Sequence, residues 1–298
     1  MKRKLSFYDI IYLVTNMKTV TVNSFDNVLK YKLYRTVYEV VHPTISKKNI
    51  SSYRIMFDDN ILPVRVFYPT KVSNIEKVII YTPGVAEVSG CLGDYAEICK
   101  KVAHETQTLV IALDLDDIGD TNYFNIFDHC SKTAVYLCLE LQKLGISSSN
   151  IILMGDSIGA SIAMGIGKDK CFSDSKLILF YPVLSADCLY KDVSLVDTDV
   201  MKKLQKYYKK HLTGERFLSD VLVFPKANSD YQYSNKILFI VGGADPLKND
   251  ILEYYEECTK FNQNSELREI DFYGHGFLDE LDDVAFNEVF GAINDFLK

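Results

Sequence analysis

Five short runs of unbroken apolar character, at 77–81, 109–113, 151–154, 176–180 and 236–241, recur along the chain with helical stretches between them. A strand with one solvated face alternates apolar and polar residues, whereas a run without alternation has to be covered on both faces. Buried strands separated by helices build a mostly parallel sheet with helices packed against it. The stretch before these runs is different. Tyr53, Ile55 and Phe57 alternate with other residues, Asp58-Asp59-Asn60 supplies a turn, and Leu62, Val64, Val66 and Tyr68 alternate again, which reads as an antiparallel hairpin or meander. The expected fold class is therefore α/β, a mostly parallel central sheet with antiparallel strands at its N-terminal side.

Two segments lie outside that core pattern. Residues 1 to about 48 carry apolar residues at helical spacing (Phe7, Ile10, Ile11 and Val14, then Val28, Tyr31, Tyr34, Val37 and Val41), and His42-Pro43 closes them, which predicts two helices packing on the rest. Between Tyr181-Pro182 and Lys236 lies an insertion of more than fifty residues containing Met201 to Leu212, a basic amphipathic helix whose lysines are read as a solvated face. No repeat or low-complexity linker divides the chain, so a single domain over 1–298 is expected, with a lid from about 1–48 and about 185–224. Tyr190, Tyr207 and Tyr208 in that lid are read as aromatic packing.

Charge and cysteine content narrow the setting. A net charge of −7 and a pI near 5.3 leave no basic stripe to neutralise phosphates, so no nucleic-acid partner is expected. Seven cysteines without a C-x-x-C pair fit core thiols in a reducing compartment. Lys2, Arg3 and Lys4 ahead of Leu5 to Val14 imitate a secretion signal, but Asp9 interrupts the stretch and no small-residue cleavage site follows. It is also too short to cross a bilayer, so a cytoplasmic protein with no membrane span is expected.

The chemistry begins where the third apolar run meets Gly155-Asp156-Ser157-Ile158-Gly159. A G-x-S-x-G sequence between a strand and a helix is the pattern of a nucleophile elbow, a sharp turn that exposes the serine Oγ and aims the next backbone N–H, here that of Ile158, at a developing oxyanion. A serine hydroxyl becomes nucleophilic only when a neutral imidazole takes its proton and a carboxylate fixes that imidazole's tautomer. The order should be Ser, then acid, then His, on loops after later strands. His275 lies between two glycines just after a predicted strand at 267–272, whereas His211 falls inside the lysine-rich helix, where a solvated histidine is expected. Asp245 directly follows the strand at 236–241 and stands 30 residues before His275, room for one helix and one strand. Asp250, Asp271 and Asp279 fit that strand-end position less well. The other oxyanion donors should come from the loop after 77–81; Pro83 has no N–H, which leaves Gly84 and Val85.

Other chemistries find no support. Gly165-Ile166-Gly167-Lys168 lacks the spacing of a phosphate loop, and His129-Cys130 is an isolated pair without metal-ligand spacing. No cofactor and no metal are implied.

Three stretches together resemble the hormone-sensitive-lipase-like, or acetyl-esterase, group of the α/β-hydrolases. Gly155-Asp156-Ser157-Ile158-Gly159-Ala160 resembles that family's G-D-S-A-G-G elbow, Asp245-Pro246-Leu247 through Asp250 its D-P-L-x-x-D acid loop, and His275-Gly276-Phe277 its H-G-F. The resemblance runs from about residue 50 to the end. It implies an α/β-hydrolase fold, a catalytic triad of Ser157, Asp245 and His275, and a helical lid. The chain departs from the family at the oxyanion loop, where H-G-G-G becomes Thr82-Pro83-Gly84-Val85, and at Leu113 to Asp117. On that alignment Gly84 and Val85 occupy the two donor positions. The expected activity is that of a serine carboxylesterase on short-chain acyl esters of small molecules. Alternatives are a non-catalytic ligand-binding protein on the same scaffold and an amidase or peptidase of this fold; a homodimer is left open.

Overall fold

In the computed structural model of the chain, residues 52–55, 64–69, 75–84, 92–115, 122–185, 198–211, 220, 223–227, 233, 235–261 and 263–298 are described. Among the described residues eight strands form one sheet: β1 (Ser52–Ile55), β2 (Val64–Phe67), β3 (Val78–Thr82), β4 (Leu109–Leu113), β5 (Ile151–Asp156), β6 (Lys176–Phe180), β7 (Ile237–Gly242) and β8 (Glu266–Ile270), in the order β1-β2-β4-β3-β5-β6-β7-β8. β1 runs antiparallel to β2 and β2 antiparallel to β4, while every pair from β4 to β8 is parallel. The helices are α1 (Leu92–Thr106), α2 (Tyr123–Lys143), α3 (Ser157–Gly167), α4 (Thr198–His211), α5 (Lys248–Phe261) and α6 (Asp283–Leu297).

The unbroken apolar runs have the predicted cause. On β3, Val78 and Ile80 enter one core while Ile79 and Tyr81 enter the other, and all four are fully buried. The first core is closed by α2, α3, α4 and α5, the second by α1 and α6. With strand side chains pointing alternately up and down, a sheet covered on both sides favours apolar residues at successive positions of its strands. Two helix starts are fixed by side chains: Asn122 accepts from the Asn125 N–H, and Asp282 accepts from the N–H groups of Val284 and Ala285.

The lid expectation over residues 1–48, with its two helices, lies outside the described residues, as do Tyr190, Cys91 and Cys188. Within 185–224 the basic helix is present as α4. Its apolar side buries Met201, Leu204, Tyr207 and Tyr208, with Tyr208 packed on Phe224 and on Tyr123 of α2. His211 corrects an expectation. It is buried and its ring lies 4.5 Å from that of Tyr207, because position 211 continues the 204, 207, 208 apolar stripe by helical periodicity and leaves the exposed side to the lysines. The described cysteines are free thiols, four of the five buried. Among the described residues no helix is long and apolar enough to cross a membrane.

The parallel strands fix where chemistry can occur. Thr82 pairs with Gly155, Asp156 with Phe180, and Gly242 with Ile270, so β3, β5, β6, β7 and β8 end side by side along one rim of the sheet. Ligands of open parallel sheets bind beyond that carboxyl rim.

Candidate active site

Ser157 is the first residue of α3, directly after β5, and its φ is +53°. A non-glycine residue pays of order 1–3 kcal/mol for this left-handed region, and such strain persists only where packing over-determines it. The two flanking glycines show what does so. A Cβ at Gly159 would lie 2.3 Å from the backbone oxygens of both Thr82 and Pro83, and one at Gly155 would lie 2.6 Å from Gly159 O and 2.8 Å from Thr82 O. The end of β3 is thus pressed directly against the turn, which only bare backbone permits. Gly159→Ala is expected to destabilise the protein by about 1–3 kcal/mol, since backbone carbonyls cannot rotate away as a side chain can. Urea unfolding checks this through a lower midpoint; a midpoint equal to that of the parent would contradict so tight an approach.

Across the rim, Ser157 Oγ lies 2.9 Å from His275 Nε2, and His275 Nδ1 lies 3.0 Å from Asp245 Oδ2. The His275 side chain is 4% exposed and that of Asp245 0%. The second carboxylate oxygen of Asp245 is also engaged: Oδ1 accepts the Leu247 N–H at 2.7 Å, an Asp-Pro turn closing on its own carboxylate. The acid loop and the histidine loop are joined by backbone, with Gly243 N donating to Ile270 O at 2.8 Å and Ala244 N to Tyr273 O at 2.9 Å. Gly242 makes that junction possible, since a Cβ there would meet Tyr273 O at 2.2 Å. The Tyr181 ring, at the end of β6, lies 4.8 Å from the imidazole and braces it from the side. Of the rival acids, Asp250 sits in the first turn of α5 and Asp271 is exposed on the turn after β8, while Asp279 falls in a short 3₁₀ turn at 277–279.

Of the remaining sequence-predicted residues, Ile158 and Gly84 lie at the elbow. Ile158 is fully buried in the first turn of α3, whose amides have no acceptor within the helix. Val85 lies outside the described residues. Gly84 is described, and its N–H donates to Asp156 Oδ1 at 2.8 Å. The same oxygen accepts the Tyr81 hydroxyl at 2.5 Å.

Asp156 is the site residue that the sequence reading passed over. Its position inside the elbow motif was visible, but its partners are contributed by β3, 72 and 75 residues away. Burial raises its carboxyl above the usual range, opposed in turn by the hydrogen bonds from Tyr81 and Gly84 and by the nearby His275. Burial, followed by the Asp156 charge, pushes the Tyr81 phenol well above its ordinary value, so the hydroxyl stays protonated and donates.

Comparison with known proteins agrees with this architecture. Residues 79–279 match a family model described as alpha/beta hydrolase fold. A Pseudomonas putida ethyl acetate hydrolase is 21% identical over 231 residues, covering 74% of this chain and 73% of that protein. The human arylacetamide deacetylase-like 4 is 27% identical over 134 residues; that match spans 43% of this chain and only 33% of the human protein. Among solved structures, carboxyl esterase 2 of Tuber melanosporum superposes with a TM-score of 0.70 at 15% identity, covering 85% of this chain and 90% of that one. An esterase of Pyrobaculum calidifontis superposes with a TM-score of 0.69 at 16% identity, covering 93% and 94%. At such identities the structural likeness speaks for the fold.

Proposed function

The chain belongs to the alpha/beta hydrolase fold family, and from that premise we propose that it is a serine carboxylesterase that cleaves short-chain acyl esters through an acyl-enzyme intermediate. The observation that carries the reading is the continuous hydrogen-bonded line from Ser157 Oγ through the His275 ring to Asp245, at 2.9 and 3.0 Å, starting from a serine held at φ +53°. Ser157 Oγ attacks the ester carbonyl as His275 Nε2 takes its proton, and Asp245 Oδ2, accepting the Nδ1–H, stabilises the imidazolium that results. The Ile158 N–H and the Val85 N–H of the loop after β3 are assigned to the oxyanion, and Gly84 would join them only by leaving Asp156 Oδ1, to which its N–H is donated. Collapse of the tetrahedral intermediate expels the alcohol, protonated by His275, and water repeats the sequence on the acyl-enzyme. No step calls for a metal or cofactor. The acyl and alcohol pockets are assigned to the lid segments at about 1–48 and 185–224 of one domain.

Two named relatives support an ester or a related acyl substrate, one an ethyl acetate hydrolase and one arylacetamide deacetylase-like. Purified protein should hydrolyse p-nitrophenyl acetate and butyrate, with rates falling toward the decanoyl ester, and a fluorophosphonate probe should label Ser157. A decanoate optimum would reject the short-chain assignment, and an anilide turned over faster than its matching ester would move the assignment to an amidase. One observation favours a second reading, a non-catalytic binding protein on this scaffold: the Gly84 N–H, an expected oxyanion donor, is donated to Asp156. Absence of both labelling and turnover, with retained ligand binding, would favour it.

A further inference from the structure

We propose that Asp156 is a positioning residue whose buried carboxylate, held by Tyr81, sets the course of the loop leaving β3 and thereby the backbone amides that face the attack by Ser157. One oxygen, Oδ1, takes the Tyr81 hydroxyl at 2.5 Å and the Gly84 N–H at 2.8 Å. These donors bracket Thr82-Pro83, so a single acceptor fixes both sides of the point where the strand becomes a loop. Pro83 has no N–H, and Gly84 therefore carries the first amide beyond the strand that can be tied down. The opposite side of the same two residues is closed by the elbow itself, where the Thr82 and Pro83 oxygens approach Gly159 too closely for a Cβ. Gly84 is equally confined, since a Cβ there would lie 2.5 Å from Asp156 Oδ2. The loop is thus gripped between the side chain that precedes the nucleophile and the helix that follows it.

A carboxylate is an expensive acceptor to bury, and burial does raise this one above its ordinary range. Its use is that a charged acceptor binds N–H and O–H donors about twice as strongly as a neutral one. The loop leaving β3 is referenced to the nucleophile's immediate neighbour, so the two keep their spacing.

The catalytic consequence rests on the serine-esterase reading; the clamp does not. Full-length parent protein, Asp156→Ala, Asp156→Asn and Tyr81→Phe are compared by amide hydrogen exchange over the segment containing Gly84 and by kcat and KM for p-nitrophenyl acetate. In Asp156→Ala, exchange at Gly84 should quicken about tenfold, and kcat should fall about 100-fold with KM within about threefold, the scale of a misplaced oxyanion donor. Asp156→Asn keeps an amide oxygen that both donors can reach and should recover about tenfold of that kcat; Tyr81→Phe should fall between the two. Unchanged Gly84 exchange in Asp156→Ala overturns the clamp. Faster exchange with unaltered kcat, or a kcat loss that Asn does not relieve, overturns the positioning role. If Asp156→Ala does not fold, Tyr81→Phe and Asp156→Asn carry the same comparison against the parent. A parent protein that neither turns over esters nor accepts a fluorophosphonate refutes the esterase reading, while the Gly84 exchange rates still decide the clamp.

Discussion

Ser157→Ala should lower kcat for p-nitrophenyl acetate by about 10⁴–10⁶-fold, leaving the small residual rate that binding and the oxyanion donors alone provide. The substitution deletes one oxygen and changes nothing else at the elbow. Alanine meets the same φ of +53° that serine already tolerates, and the confining contacts at Gly155 and Gly159 are to backbone. Stability should therefore stay within about 0.5 kcal/mol of the parent, as for a substitution that makes no cavity and strands no charge. The parent and variant should also show similar KM, because the lost interaction forms only as the Oγ–carbon bond develops. Retention of a tenth or more of parental kcat would remove Ser157 from the mechanism. Loss of activity with a collapsed melting transition would instead indicate a structural hydroxyl.

The sheet was legible because its signal is local and strong. A run such as Leu109 to Leu113 can be buried on both faces only inside a covered sheet, and that strand has the predicted bounds. β6 has its predicted bounds of 176–180 as well, while β3, β5 and β7 drift by a residue or more. β5 extends to Asp156, since Gly155 and Asp156 pair with Leu179 and Phe180 although neither is a strand former. The triad candidates were legible for a related reason. Each stands just past a strand end, and parallel strands deliver their ends to one rim, so Ser157, Asp245 and His275 come together although 118 residues separate the first from the last. What the sequence hid was pairing between side chains on strands far apart in the chain. Nothing about Tyr81 marks it as a partner for Asp156, and a buried tyrosine in a strand reads as core. The burial of His211 was hidden too, because five lysines at 202, 203, 206, 209 and 210 dominate the helix and mask its continuous inner stripe.

The acid's partners make a second large effect specific to this geometry. In Asp245→Asn, the amide oxygen is held in place of Oδ1, since the Leu247 N–H at 2.7 Å is a fixed backbone donor that an NH₂ group cannot satisfy. The side-chain NH₂ then takes the place of Oδ2 and points at His275 Nδ1, 3.0 Å away, where it can only donate. Nδ1 must become the acceptor, and the ring proton moves to Nε2, 2.9 Å from Ser157 Oγ. A base with its proton already on that nitrogen cannot accept another from serine. The expected result is a fall in kcat of about 10⁴-fold at neutral pH with the fold intact, because the exchange is isosteric and leaves no buried charge unpaired. Asp250→Asn provides the contrast: that carboxylate sits in the first turn of α5, while Ser157, His275 and Asp245 are hydrogen-bonded in line with one another, and its kcat should stay within a factor of about three of the parent. If Asp250→Asn were the damaging change and Asp245→Asn kept parental kcat, the acid would have to be reassigned to α5. If both were active, the imidazole would need no carboxylate, and the hydrogen bond from His275 to Asp245 would be structural alone.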